Sequence, residues 1–225
     1  MAPDGLLPLI PDYPVNLNLV GRQCLVVGGG GVAERKVAAL LESGALVTLI
    51  SPELTPNLAL WVFQRRVIHC PKQFEKGDAK GYMLVMCATD SPTVNEQAAK
   101  EAKQFGALVN VADTPALCDF TLPARLQRGR LSIAVSTGGQ SPALARELRN
   151  ELAAQYGPEY AEYLEIAGRL RREWQETCIS SEERCQRWNE IKGFDPDVLE
   201  LLRQGRKQEA EVRFRNGIGC LRTQP

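Results

Sequence analysis

Gly28, Gly30 and Ala33, in the stretch "VVGGGGVAERK", have the spacing G-x-G-x-x-A. Small residues at these positions do three separate jobs. The first permits a tight turn off a strand, the second lets backbone approach a pyrophosphate, and the third allows a helix to pack closely on that strand. The helix start, Gly31 and Val32 included, then offers free N–H groups and a positive dipole end to phosphates. The motif follows an apolar run and precedes a helical pattern, which is the context it requires. Gly28, Gly30, Gly31, Val32 and Ala33 therefore read as a dinucleotide-binding segment.

Other chemically capable residues stand at the ends of apolar runs. "ALVTLIS" leads into Ser51, Pro52 and Glu53, and Glu53 is 20 residues beyond Ala33. That is close to the spacing of a carboxylate that holds an adenosine ribose, so Ser51, Pro52 and Glu53 are expected at the cofactor. No arginine follows directly to clamp a 2′-phosphate, which favours NAD over NADP. "CATD" brings Thr89 and Asp90, and "NVAD" brings Asn110 and Asp113. Asp90 can cap the helix that follows it. Asp113 runs into a Thr-Pro turn with no obvious helix behind it. It is either a turn aspartate or a base beside a nicotinamide.

The elements that must position these residues alternate. "QCLVV", "ALVTLIS", "RVIHC", "YMLVMCAT" and "ALVNVA" read as strands, the first as a run buried on both faces. "VAERKVAALLESG" reads as a helix with Val32, Val37, Leu40 and Leu41 on one face, and Gly44 as its stop. "SPTVNEQAAKEAKQFG" reads as a helix capped by Ser91, with Pro92 in its first turn. Strands alternating with helices predict an α/β, Rossmann-type doubly wound parallel sheet, whose ligands bind outside the carboxyl ends of the strands. After Asp113 come a strand, "RLSIAVST", a glycine turn and a helix over "SPALARELRNELAAQYG". Charged residues are denser from Ser141 onward, which reads as a helical region with solvated faces.

Composition narrows the functional classes. The formal net charge is +0 and apolar residues make up 44% of the 225. This argues against a protein built chiefly for nucleic acid and allows a proper core. The seven cysteines, Cys24, Cys70, Cys87, Cys118, Cys178, Cys185 and Cys220, show no C-x-x-C spacing and read as reduced thiols of a cytoplasmic protein. The one histidine, His69, excludes a His-rich metal site within this chain, and no metal ligands are assigned. The N-terminal stretch has no basic residue before Arg22 and does not read as a signal peptide. Apolar runs are too short for a membrane span.

Taken together, "CLVVGGGGVAERKVAALLESGALVTLISPE", "CATD", "VNVADTPALCDFTLPA" and "LSIAVSTGGQSPALARELR" resemble precorrin-2 dehydrogenase, the siroheme-synthase N-terminal family. The likeness runs from about Tyr13 to about Leu152. It implies NAD-dependent oxidation of precorrin-2 to sirohydrochlorin and a homodimer. The layout it implies is an NAD-binding Rossmann domain over residues 1–113, a small α+β dimerisation region over 114–150 and a helical C-terminal domain over 151–225. In that family the aspartate of the "NVxD" motif, here Asp113, is the acid–base residue. Members often carry serine where this chain has Thr137. Some members also insert iron, so Fe2+ enters as a chelatase substrate that the likeness allows. The tetrapyrrole carries many carboxylates, which suits bidentate arginine. Arg125 and Arg146 are the candidates, with Arg128, Arg130 and Arg149 near them in sequence. Thr137 and the "STGGQS" loop can add N–H groups. The glycine loop alone leaves two alternatives open: an NAD(H)-binding regulatory domain, or a dehydrogenase of another substrate. Asp113 and "STGGQSP" favour the tetrapyrrole enzyme over a sensor.

Overall fold

Neighbouring residues in the first strand face opposite ways, and both faces are covered. In β1 (Gln23–Val27), Cys24 and Val26 pack into one core, while Leu25 and Val27 pack into another. This is what a continuous apolar run becomes when helices lie on both sides of a sheet. The computed structural model describes residues 12–177, 180 and 195–219. Cys178, Cys185, Cys220 and most of the proline-containing N-terminal stretch lie outside the described residues.

The chain divides into two compact units, one ending at Leu122 and one beginning at Pro123. In the first, β1 is followed by α1 (Gly31–Glu42), β2 (Leu46–Ile50), α2 (Pro56–Phe63), β3 (Val67–Cys70), β4 (Leu84–Cys87), α3 (Pro92–Gln104) and β5 (Leu108–Val111). The strands form one parallel five-stranded sheet in the order β3-β2-β1-β4-β5. The reversal of direction between β1 and β4 is the switch point at which such sheets bind ligands. On one face, Ala33, Val37 and Leu40 of α1 and Leu58 of α2 cover the sheet. On the other, Ala98, Ala99 and Ala102 of α3 do so with Phe74 and Ala79. Val32 does not share the buried face of α1, being 37% exposed. It sits in the first turn, where α1 has only just left the glycine loop.

The first unit extends past Asp113, where the boundary was expected. Residues after it fold back along β5: Asp119 N–H donates to Val109 O at 2.8 Å, and Val109 N–H donates to the Asp119 carboxylate at 3.0 Å. A short 3-10 turn (Pro115–Leu117) makes the reversal. The exposed edge of β5 is thereby paired rather than left open.

The second unit holds a two-stranded antiparallel sheet of β6 (Ala124–Arg128) and β7 (Leu131–Val135), then α4 (Pro142–Gln155) and α5 (Glu159–Thr177). Among the described residues two more helices follow, α6 (Pro196–Arg203) and α7 (Lys207–Gly219). Ile166, Leu170, Val198, Leu202, Ala210 and Phe214 form the core of the helical part. No helix among the described residues is long and apolar enough to cross a membrane.

Candidate functional site

All strands of the larger sheet are parallel, so the carboxyl ends of β1, β2, β4 and β5 open on one edge. The glycine loop leaves β1 there. Gly28 has φ +118, and a Cβ on it would stand 2.3 Å from Ala88 O. Gly29, which the G-x-G-x-x-A spacing passes over, is tighter still. A Cβ there would lie 1.8 Å from Glu53 O and 2.6 Å from Ser51 Oγ. Gly30 is different, because a Cβ on it, or on Gly31, meets nothing within 4 Å. Gly30 is the N-cap of α1 and no side chain caps that helix. Ala33 is fully buried against the sheet. Open space beside an uncapped helix start fits the pyrophosphate of a dinucleotide.

The segment after β2 is folded onto that loop. Ser51 Oγ donates to Glu53 O at 2.7 Å, Thr55 N–H to Gly29 O at 3.1 Å, and His69 Nε2 to Ser51 O at 2.9 Å. Ser51 is buried, and its hydroxyl proton is used within the loop. Pro52 and Glu53 are exposed. Glu34, in the first turn of α1, accepts from Thr55 Oγ1 at 2.5 Å and from Asn57 Nδ2 at 2.7 Å. The Thr55 and Asn57 bonds hold its carboxyl below the usual range.

At the end of β4, Thr89 Oγ1 donates to Asn95 Oδ1 at 2.8 Å, and Asn95 Nδ2 returns a bond to Thr89 O at 2.9 Å. Thr89 thus closes the strand-to-helix turn. Ser91, not Asp90, caps α3 through Val94 N–H, leaving Asp90 exposed at the crevice edge.

Asn110 is 7% exposed, and its side chain is engaged throughout. Its Nδ2 donates to Phe120 O at 3.0 Å, and its Oδ1 accepts from Lys36 Nζ at 2.6 Å. Asn110 therefore organises the end of β5 from below. Asp113, three residues on, is exposed and has φ +57. That left-handed conformation is uncommon outside glycine, and Asn and Asp are among the residues that tolerate it. Lys36 reaches this region from the second turn of α1. Burial pushes its pKa below the usual lysine value, opposed by Cys118, Cys87 and Asp113. The sequence reading missed Lys36, because a lysine in "AERK" looks like an ordinary solvated helix residue. Cys118 fastens the returning segment, with Val111 N–H donating to its sulfur at 3.2 Å and the thiol donating to Val111 O at 3.3 Å.

These residues belong to the first unit. Thr137, Arg125 and Arg146 belong to the second. Thr137 Oγ1 accepts from Ser141 N–H at 3.1 Å, closing a turn in which Gly138 and Gly139 both have positive φ. Arg146 is exposed, and its Nε donates to Pro142 O at 3.2 Å. Arg125 is exposed on β6.

Residues 15–124 match a family model described as NAD(P)-binding, and residues 128–155 match one described as sirohaem biosynthesis protein central. The siroheme synthase of Nitrosococcus oceani is 38% identical over 198 residues, covering 88% of this chain and 42% of that protein. That of Photobacterium profundum is 36% identical over 206 residues, covering 91% and 44%. The chain thus spans less than half the length of these curated relatives. Among solved structures, SirC, precorrin-2 dehydrogenase, superposes with a TM-score of 0.74 at 28% identity, covering 91% of this chain and 100% of that one.

Proposed function

We propose that this chain, which belongs to the siroheme synthase family, oxidises precorrin-2 to sirohydrochlorin with NAD. The observation that carries the reading is Asp113. It is an exposed carboxylate in a left-handed backbone conformation, on the same sheet edge as the open glycine loop. A non-glycine residue held in that conformation costs free energy and persists where surrounding structure enforces it, often at functional sites. Here the returning segment, Cys118 and the Asn110 network enforce it.

The oxidation removes a hydride and a proton from the reduced tetrapyrrole. Bound NAD supplies the hydride acceptor. The α1 N-terminus, with Gly30 and Gly31, receives the pyrophosphate, and the Ser51–Glu53 segment borders the ribose. Asp113 takes the proton as general base, once substrate brings a C–H within reach of its oxygen. Lys36 and Asn110 hold the strand end that presents it. Thr137, Arg125 and Arg146 are read as the tetrapyrrole's carboxylate contacts.

We read residues 114–150 as the dimerising region. A two-stranded sheet is marginal by itself, and Leu144 and Leu148, one turn apart on α4, are 46% and 37% exposed. Sedimentation at twice the chain mass supports this; a monomer at high concentration removes it. Free thiols at Cys24, Cys70, Cys87 and Cys118 accord with a reducing cytoplasm. The deciding experiment mixes protein, NAD and anaerobic precorrin-2 and follows NADH absorbance. Stoichiometric NADH with formation of sirohydrochlorin is the expected result. Nucleotide binding without NADH would leave a sensor in place of an enzyme.

A further inference from the structure

We infer that Glu34 sets the choice between the two nicotinamide dinucleotides, its carboxylate rejecting a 2′-phosphate. This rests on the dinucleotide reading of the glycine loop. Glu34 is not at the end of β2, where a ribose-binding carboxylate is usually sought. It lies on the first turn of α1 and reaches across to the start of α2, where it accepts from both Thr55 Oγ1 and Asn57 Nδ2.

That position matters for two reasons. The start of α2 is the positive end of a helix dipole close to the end of β2, the feature that would attract a 2′-phosphate. Glu34 already holds a negative charge there, and its two bonds use the two side-chain donors that a phosphate would need. Pro56, the first residue of α2, has no N–H, and the Leu58 N–H is taken by Thr55 Oγ1 at 3.3 Å. The segment from Ser51 to Leu60 contains no lysine or arginine, and its one charge is the exposed Glu53. Arg35, the neighbouring cation, sits about 100° further round α1. Thr55 and Asn57 together hold Glu34 ionised, its pKa lying below the usual value. A ribose with a free 2′-hydroxyl can donate to the Glu34 carboxylate here, whereas a 2′-phosphate is repelled by it.

The test is calorimetric titration of the full chain with NAD+ and with NADP+. The parent should prefer NAD+, and that preference should shrink as salt screens the charges. Glu34→Gln keeps the length and an acceptor oxygen but removes the charge. It should tighten NADP+ by about fivefold relative to NAD+, the scale of one charge at an exposed helix end. Thr55→Val loses a bond and keeps the charge, so NADP+ should remain rejected. An unchanged NAD+/NADP+ ratio in folded Glu34→Gln overturns the inference, as does equal relaxation in Thr55→Val or a salt-independent preference in the parent. A parent that binds both nucleotides equally overturns the role of Glu34 alone. A parent that binds neither removes the dinucleotide reading beneath it as well.

Discussion

The Lys36 ammonium donates to the Asn110 side-chain oxygen across 2.6 Å, joining α1 to the end of β5. This bond links the helix whose start is the proposed pyrophosphate site to the strand whose end leads to Asp113. Its pH behaviour follows from burial, which lowers the Lys36 pKa from the ordinary 10.5. Between the folded value and 10.5, the unfolded chain binds the proton and the folded chain does not. Stability therefore rises with pH across that window. Lys36→Met should lack this rise. At neutral pH it also leaves the buried Asn110 oxygen without its donor, at about 1–3 kcal/mol. Denaturant midpoints of parent and variant, followed from neutral pH toward 10.5, check both points. Parallel curves would mean that Lys36 is no more buried folded than unfolded.

Gly29 and Gly30 should answer substitution in opposite ways. Gly29→Ala drives a methyl into Glu53 O, a backbone atom that cannot turn aside. We expect a loss of about 1–3 kcal/mol, the usual scale of overpacking, with weaker nucleotide binding as the Ser51–Glu53 segment shifts. Gly30→Val places its side chain in open space. It should melt close to the parent yet fail to bind NAD, because the space it fills is the proposed pyrophosphate site. Thermal melts paired with calorimetry separate the two. A Gly30→Val protein that is folded and binds NAD as tightly as the parent would sink the site assignment.

These residues show what the sequence made legible. The five strands of the first sheet, α1 and α3 follow from apolar periodicity and glycine or serine punctuation, which are local signals. Gly29 follows from nothing local, since its constraint is a carbonyl more than twenty positions away. Lys36 is hidden for the same reason, as only the parallel crossover brings α1 beside β5. Helix α2, an eight-residue, mostly apolar stretch, carries no clear period to separate helix from strand. β6 reads "ARLQR", and its charged residues mask a strand held by pairing with β7. The pairing of Asp119 with Val109, which folds the chain after Asp113 back along β5, is made through a turn and leaves no strand pattern to read. The candidate arginines, Arg125 on β6 and Arg146 on α4, rest on no local pattern either, since both are exposed like other surface arginines.

Thiol reactivity should divide by depth. Burial pushes Cys24 up to about 11 and Cys87 up to about 12, and neither has exposed surface. The reactive species is the thiolate, so both should stay unmodified when folded protein meets iodoacetamide at neutral pH, and both should label after denaturation. Peptide mass spectrometry reads this directly. Labelling of Cys87 in the folded protein would mean that the sheet opens at β4 far more readily than its burial allows.

Asp113 carries the sharpest prediction. Its φ of +57 falls where asparagine is also at ease. Asp113→Asn should therefore fold and melt like the parent. Its affinity for NAD should hardly change, because the glycine loop and the Ser51–Glu53 segment, not Asp113, are the proposed contacts of the cofactor's phosphates and ribose. What asparagine cannot do is accept the proton leaving precorrin-2. Turnover should fall by ~100-fold or more, the scale general base catalysis commonly supplies. Asp113→Ala would confuse this result, since alanine is more strained than asparagine in the left-handed backbone. Full dehydrogenase activity in well-folded Asp113→Asn would leave Asp113 as a turn residue, and the proton would need another acceptor on the same edge, with exposed Asp90 next to be tried. If NADH formation fell while iron insertion into supplied sirohydrochlorin persisted, Asp113 would serve the redox step alone; loss of both would assign one carboxylate to two proton transfers.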